Sequence, residues 1–166
     1  MLKTSTIFKK IFIMLRLRMK NKYNRHVSMG DLLSNRWDTA QFLGFGKGTS
    51  CYNNVLVLGN VEVGENTWIG PNVILDGSGG GLMIGDFCSI SAGVQIYTHD
   101  TVVWSTSLGV ETVVKAPTVI GDGVYIGPNT IIQKGVSVGD KAVVGAMSFV
   151  NKNIKPNKKV FGIPAR

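Results

Sequence analysis

The sequence predicts an all-β chain: a coil of short parallel strands that turns every six residues, with a helical arm before it and one extruded loop within it. Three observations carry this. Aliphatic residues return at a six-residue spacing between Cys51 and Val150. Gly and β-branched residues are too dense over that span for helix. The net charge of +8 is matched by the eight basic residues of the first 25 positions, which hold no acid, so the rest of the chain is neutral.

The arm is placed at residues 1–45. Lys3, Lys9, Lys10, Arg16, Arg18, Lys20, Lys22 and Arg25 give it its charge. Between Ile7 and Lys20 the residues Ile7, Phe8, Ile11, Phe12, Met14, Leu15 and Met19 fall on one side of a helical wheel. Lys9, Lys10, Arg16 and Lys20 fall on the other, while Ile13, Leu17 and Arg18 blur the division. Two readings follow: a basic helix lying on an anionic membrane face through residues 1–20, or a helix packed on its own body or on a sister chain. Arg16 and Arg18 interrupt the apolar run, which argues against a secretory leader. Residues 31–37 are read as a second short helix.

The body, residues 46–166, carries the repeat. Its first hexad position reads Cys51, Val57, Val63, Ile69 and Leu75, then Ile84, Ile90 and Ile96, then Val114, Ile120, Ile126, Ile132, Val138, Val144 and Val150. The fifth position is small or β-branched, as at Val73, Cys88, Val94, Thr118, Val124, Thr130, Val136, Ala142 and Ser148. Both positions point into a narrow interior, so one fills it and the other must not overfill it. Gly, Asn and Asp between them supply turn backbone. Stacked coils pair one another's backbone edges. A β-sandwich would instead alternate every two residues, with longer and less even turn spacing.

The composition limits the function. With 44% hydrophobic and 17% charged residues in 166, the chain forms one domain with a real core. It has 21 glycines without a Gly-X-Y period, and Cys51 and Cys88 make no disulfide framework. Both cysteines sit on interior positions and read as packing. No apolar run is long enough to span a membrane. The neutral body excludes a general polyanion binder, and no nucleic-acid partner is expected.

Two breaks in the repeat point to a site. Leu75 to Met83, LDGSGGGLM, adds three residues before the phase restarts at Ile84. Its glycines read as a tight bulge or a close approach of backbone to a ligand. No Lys-Ser/Thr ending follows, which argues against a phosphate loop. The second break comes after Ile96. There His99 lies off both apolar positions, and residues 101–113 show no clear repeat. Asp76 and Asp100 flank these breaks, and Trp104 lies in the loop.

The hexads, the THD containing His99, IGDGVYIGPNTIIQKGVSVGDKAVVGAMSFV at 120–150 and the ending GIPAR at 162–166 resemble the hexapeptide-repeat acyltransferases. Within them the chain is similar to galactoside and maltose O-acetyltransferases and to acetyltransferases of surface-polysaccharide clusters. The resemblance implies a left-handed parallel β-helix of hexapeptide repeats; handedness comes from it alone, since general topology rules favour the right hand. It implies a homotrimer with active sites between chains, acetyl-CoA as co-substrate and no metal. His99 becomes the general base, taking a proton from an acceptor hydroxyl that attacks the thioester without an acyl-enzyme. An imidazole's ordinary pKa of about 6.5 suits that task.

The implied coenzyme positions are Gly127, Pro128, Gly145, Ala146, Asn151 and Lys152, with small residues admitting pantetheine. The basic tail, residues 152–166 with Arg166 at its end, suits the phosphates. Asp76, Asp100 and Trp104 are the acceptor-binding candidates, and either Asp is also a candidate to orient the imidazole. The expected activity is O-acetylation of a sugar hydroxyl on a surface-glycan intermediate or nucleotide-linked sugar, in the cytoplasm or on the membrane's inner face. The alternatives are N-acetylation of an amino sugar and a non-catalytic assembly module. A carbonic anhydrase of similar fold needs three histidines on zinc, and this chain has His26 and His99 only.

Overall fold

The computed structural model describes the backbone of residues 2–166 and the side chains from residue 6 onward. Lys3 and the other side chains of the first five positions lie outside the described residues. Three helices lead into the coil: α1 (Leu2–Tyr23), α2 (Met29–Leu33) and α3 (Arg36–Phe42). The second short helix expected over 31–37 is thus two helices. Asn35 causes the break, because its side-chain oxygen accepts from the N–H groups of Trp37 and Asp38 and starts a new helix there. Ser28 caps α2 in the same way through Asp31 N–H.

Beyond the helices the chain winds as a three-sided prism. The first face stacks Ser50–Cys51, Trp68–Ile69, Ser89–Ile90, Tyr125–Ile126, Val143–Val144 and Lys159–Val160, all parallel. The second face stacks the beginnings of Leu56–Val63 and Ile74–Ile84 with Gln95–Ile96, Ile131–Ile132 and Phe149–Val150. The ends of those two long strands turn the corner and form the third face with Thr118–Ile120 and Ser137–Val138.

The hexad positions land where the repeat requires. Cys51, Ile69, Ile90, Ile126 and Val144 are fully buried on the first face, and Leu75, Ile96, Ile132 and Val150 line the second. The small fifth-position residues are buried beside them. Where one is Thr, its hydroxyl donates to a backbone carbonyl of a neighbouring coil: Thr67 to Gly85, Thr130 to Gly145 and Thr118 to Tyr97. Among the described residues no buried side-chain polar atom lacks a partner.

The Gly-Asp pairs also find a reason. At the corner between the third and first faces Asp140 accepts from Asp122 N–H, Asp122 from Asp86 N–H, and Asp86 from Glu65 N–H. A side chain at Gly85 would meet the Asp122 carboxylate at 2.2 Å, so the ladder needs glycine beneath each rung.

Two expectations change. Val114 is not part of the coil. It is 38% exposed and sits in an antiparallel pair, Val114–Lys115 with His99–Asp100, which closes the base of the loop. The phase is kept by coincidence of length, and the coil resumes at Thr118. The stretch read as a basic tail is the last coil. Lys159–Val160 pairs with Val143–Val144, and Ala165 N–H donates to Phe149 O. The bulge expected in LDGSGGGLM is found: at a corner of the continuous strand Ile74–Ile84 the pairing with the preceding coil slips between Gly59 and Val61.

Both cysteines behave as core. Burial pushes the Cys51 thiol up to about 12 and raises Cys88 as well. Neither is a thiolate near neutrality. The folded protein at pH 8 should therefore leave both thiols unmodified by an alkylating reagent, whereas two should react in denaturant. Labelling counted by mass spectrometry checks this.

Candidate active site

The site forms at the corner between the second and third faces, where the repeat breaks. Asp76 ends the inward run of the second coil and is 1% exposed. The strand then turns through Gly77, Ser78 and Gly79. One coil later the chain passes the same corner as Tyr97, Thr98 and His99. Thr98 joins the two layers: its buried hydroxyl donates to Asp76 O at 2.7 Å and accepts from Gly79 N–H at 2.8 Å. A side chain at Gly79 would lie 2.1 Å from Thr98 O and 2.6 Å from His99 Cβ. The sequence reading expected a ligand beside this glycine run, and what lies against Gly79 is the histidine segment.

This docking brings His99 Nδ1 to 2.9 Å from Asp76 Oδ2. Ser78 completes the group. Its N–H and hydroxyl both donate to Asp76 Oδ1, at 3.0 and 2.5 Å, and its oxygen lies 3.3 Å from His99 Nδ1. With three hydrogen bonds the buried carboxylate is fully partnered. We assign the imidazole proton to Nδ1, because it faces a carboxylate, which leaves the Nε2 lone pair free to accept. His99 keeps about a third of its side chain in solvent, so Nε2 is reachable. A base held by a buried acid can take a proton from an approaching hydroxyl or amine.

Of the two carboxylates, Asp76 contacts the imidazole and Asp100 pairs with Lys134. Asp100 ties down the loop: Oδ2 pairs with Lys134 Nζ at 2.5 Å, and Oδ1 accepts from Val102 N–H at 3.0 Å, starting helix α4 (Val102–Thr106). The Lys134 ammonium, with the Val102 N–H, holds the Asp100 carboxyl below its ordinary range. Lowering in the folded state means the tie is fully present above about pH 4, the unfolded value, and is lost as pH falls through the lower folded value. Hydrogen exchange in residues 101–113 should be flat between pH 5 and 8 after correction for intrinsic rate. Lys134→Met should raise it throughout that window.

Trp104 lies on α4, half exposed, and the loop tip holds Leu108 and Val110 almost wholly exposed. The coenzyme candidates divide between two corners. Gly127, Pro128, Gly145 and Ala146 lie at the corner between the first and second faces, near Arg166, whose N–H donates to Phe161 O. Asn151 and Lys152 are exposed at the corner that carries His99. The small residues have a reason other than a ligand. A side chain at Gly127 would meet Ala146 N at 2.5 Å, and one at Gly145 would meet Phe161 Cβ at 2.8 Å, so coil stacking already demands glycine at both.

Sequence reading missed Ser78, Thr98 and Lys134. The first two lie in stretches whose irregularity marked them; Lys134 sits in a regular corner and carried no signal.

Family models match both halves of the prism. Residues 60–98 match the hexapeptide repeat of succinyl-transferase and residues 117–152 the bacterial transferase hexapeptide of six repeats. A hexapeptide-repeat-containing acetyltransferase of Vibrio cholerae, solved with acetyl coenzyme A, is 28% identical over 95% of this chain and 85% of its own, at a TM-score of 0.69. The chain carries the hexapeptide repeats of bacterial transferases and is similar to hexapeptide-repeat acetyltransferases. This acyltransferase winds as a parallel β-solenoid, consistent with the left-handed β-helix that the resemblance implies. Two further likenesses concern the fold alone. AntD, an N-acyltransferase from Bacillus cereus solved with dTDP and coenzyme A, is 24% identical over 74% of this chain and 69% of its own, at a TM-score of 0.67. The acetyltransferase domain of PglB from Neisseria gonorrhoeae is 18% identical over 74% of this chain and 49% of that one, at 0.58. No curated protein matches the chain.

Proposed function

We propose that this acyltransferase moves the acetyl group of acetyl-CoA to a sugar hydroxyl, on a surface-glycan intermediate or a nucleotide-linked sugar, with His99 as general base. The observation that carries the reading is the 2.9 Å contact between His99 Nδ1 and the buried Asp76. Nε2 takes the hydroxyl proton as the oxygen attacks the thioester carbonyl. Asp76 stabilises the imidazolium that forms. The tetrahedral adduct expels the CoA sulfur, which takes the proton back from His99 and leaves as thiol. The acetyl group passes directly to the sugar oxygen, and the imidazole returns to its starting state.

The acting unit on this reading is a homotrimer. His99 stands at one corner of the prism and the glycine-rich coenzyme candidates at another, so one chain does not assemble both halves. A neighbouring copy presenting its first–second corner to this chain's second–third corner does. The apolar loop tip at Leu108 and Val110 reaches outward in a way that suits a neighbour. Asn151, Lys152 and Arg166 then serve the coenzyme phosphates, and Trp104 and Asp100 border the acceptor.

Helix α1 rests on α2 through half-buried Leu15 and Met19 and leaves Ile7, Phe8, Ile11 and Met14 exposed among lysines and arginines. We assign it to an anionic membrane surface on charge complementarity. Among the described residues no helix is long and apolar enough to cross one.

A screen of sugar and amino-sugar acceptors with acetyl-CoA, following thiol release, tests the reading. Turnover on hydroxyl acceptors supports it. Turnover confined to amines moves the activity to N-acetylation, and hydrolysis with no acceptor preference discards it.

A further inference from the structure

A cavity lies away from His99, between the arm and the first coil. It measures about 310 Å³ and is bounded by Met19, Tyr23, Arg25, Arg36, Trp37 and Tyr52. That size falls at the lower end of the range for small-molecule sites. Its chemistry is specific. The Arg36 guanidinium lies 4.9 Å from the Trp37 ring centroid and 5.0 Å from that of Tyr52, close to both rings. Cation–π contacts of this kind fix a guanidinium in place while leaving its N–H edge free to donate. Among the described residues neither Arg36 nor Arg25 has a carboxylate partner.

The one acid at the cavity, Asp31, is already spent. Its Oδ1 accepts from Asn53 N–H at 3.0 Å, its Oδ2 accepts from the Ser28 hydroxyl at 2.7 Å, and the residue is 8% exposed. Asn35 is committed to capping α3. Two unpaired guanidiniums therefore share a small cavity with aromatic and aliphatic walls. Structural arginines usually meet a carboxylate or a carbonyl. Arg36, held between two rings with Arg25 on the same cavity wall, is suited to take a tetrahedral anion by forked hydrogen bonds.

We propose that this cavity binds a phosphate ester, with Arg25 and Arg36 on the phosphate oxygens and Tyr23, Trp37 and Met19 against the organic group beside it. The same chemistry is offered by a phospholipid headgroup and by a soluble sugar or nucleoside phosphate. The cavity lies at the foot of α1, so the headgroup source would place the phosphate at the level where that helix meets a membrane.

Calorimetric titration of the full chain with sn-glycerol 3-phosphate, uridine diphosphate and inorganic phosphate, and with phosphatidylglycerol and phosphatidylcholine vesicles, tests the site. The expected result is saturable binding of at least one phosphate ester, one per chain. Arg36→Met and Arg25→Gln should each weaken it by about tenfold or more. Arg25 stands on the linker before α2, so its variant answers if Arg36→Met misfolds; unchanged unfolding temperature and acetyl transfer serve as controls. Tightest binding of glycerol phosphate and phosphatidylglycerol names the lipid source, and tightest binding of the diphosphate names the soluble one. Absence of saturable binding to every probe overturns the site. So does vesicle binding that both variants leave unchanged, since the basic helix alone then accounts for it. Dissociation of the oligomer in the variants, with no ligand bound by the parent, overturns it in favour of a second copy.

Discussion

Acetyl transfer by the His99→Ala chain is expected to fall by about 10²- to 10⁴-fold, the range a positioned general base contributes. Its unfolding free energy should stay within about 1 kcal/mol of the parent. The reason lies in where the imidazole sits. It projects from a corner, not into the prism, and a third of it faces solvent. Removing it takes one partner from Asp76, but Ser78 still donates twice to that carboxylate, so no bare buried charge is left behind. The coil above and below is held by Ile96, Ile132 and the Thr98 bonds, none of which the substitution touches. Steady-state kinetics and thermal melts decide it. Unimpaired turnover would remove His99 from the chemistry, and a collapse of the melt would make its role structural.

The coil was legible because one physical constraint repeats. Every inward position meets the same narrow interior, so Ile126 and Val144 are aliphatic for the same reason as Ile69. Where two constraints yield the same residue, the sequence cannot separate them. Gly127 and Gly145 look like room for a coenzyme, yet backbone of the next coil already occupies the space a side chain would need. Val114 keeps the six-residue phase, yet belongs to an antiparallel pair, whereas the strands of the coil pair in parallel.

The site was half legible for a related reason. Asp76 and His99 stand out because each breaks an apolar run, but which carboxylate faces the imidazole depends on corner geometry. Both Asp76 and Asp100 carried that possibility in the sequence. The three-residue insertion carries the chain round the corner so that Asp76 lies under His99, and the hairpin turns Asp100 toward Lys134. Ser78 and Thr98 lie in stretches whose irregularity is visible in the sequence, but their contacts to His99 and Asp76 across the corner, about 20 positions away, are not.

Asp76→Asn is the sharper substitution, because it keeps size and burial and changes only which atoms donate. Ser78 presents two donors to Oδ1 of the carboxylate, its N–H and its hydroxyl. An amide in that place keeps its oxygen toward them, since turning it would set NH₂ against both donors. The amide nitrogen then stands where Oδ2 was, 2.9 Å from His99 Nδ1, and it is a donor. Nδ1 must become the acceptor, so the proton moves to Nε2, the atom that receives the acceptor's proton in the proposed mechanism. The fold survives and the base is blocked. Turnover is therefore expected to drop by about 10³- to 10⁴-fold, as tautomer reversal does in other carboxylate-held histidines, with KM for acetyl-CoA little changed. Nitrogen NMR of the ring distinguishes this from simple loss of charge. It should show Nδ1–H in the parent and Nε2–H in the variant. If the variant keeps Nδ1–H and still loses activity, charge stabilisation of the imidazolium is the larger contribution of Asp76; if it keeps full activity, the orienting role fails.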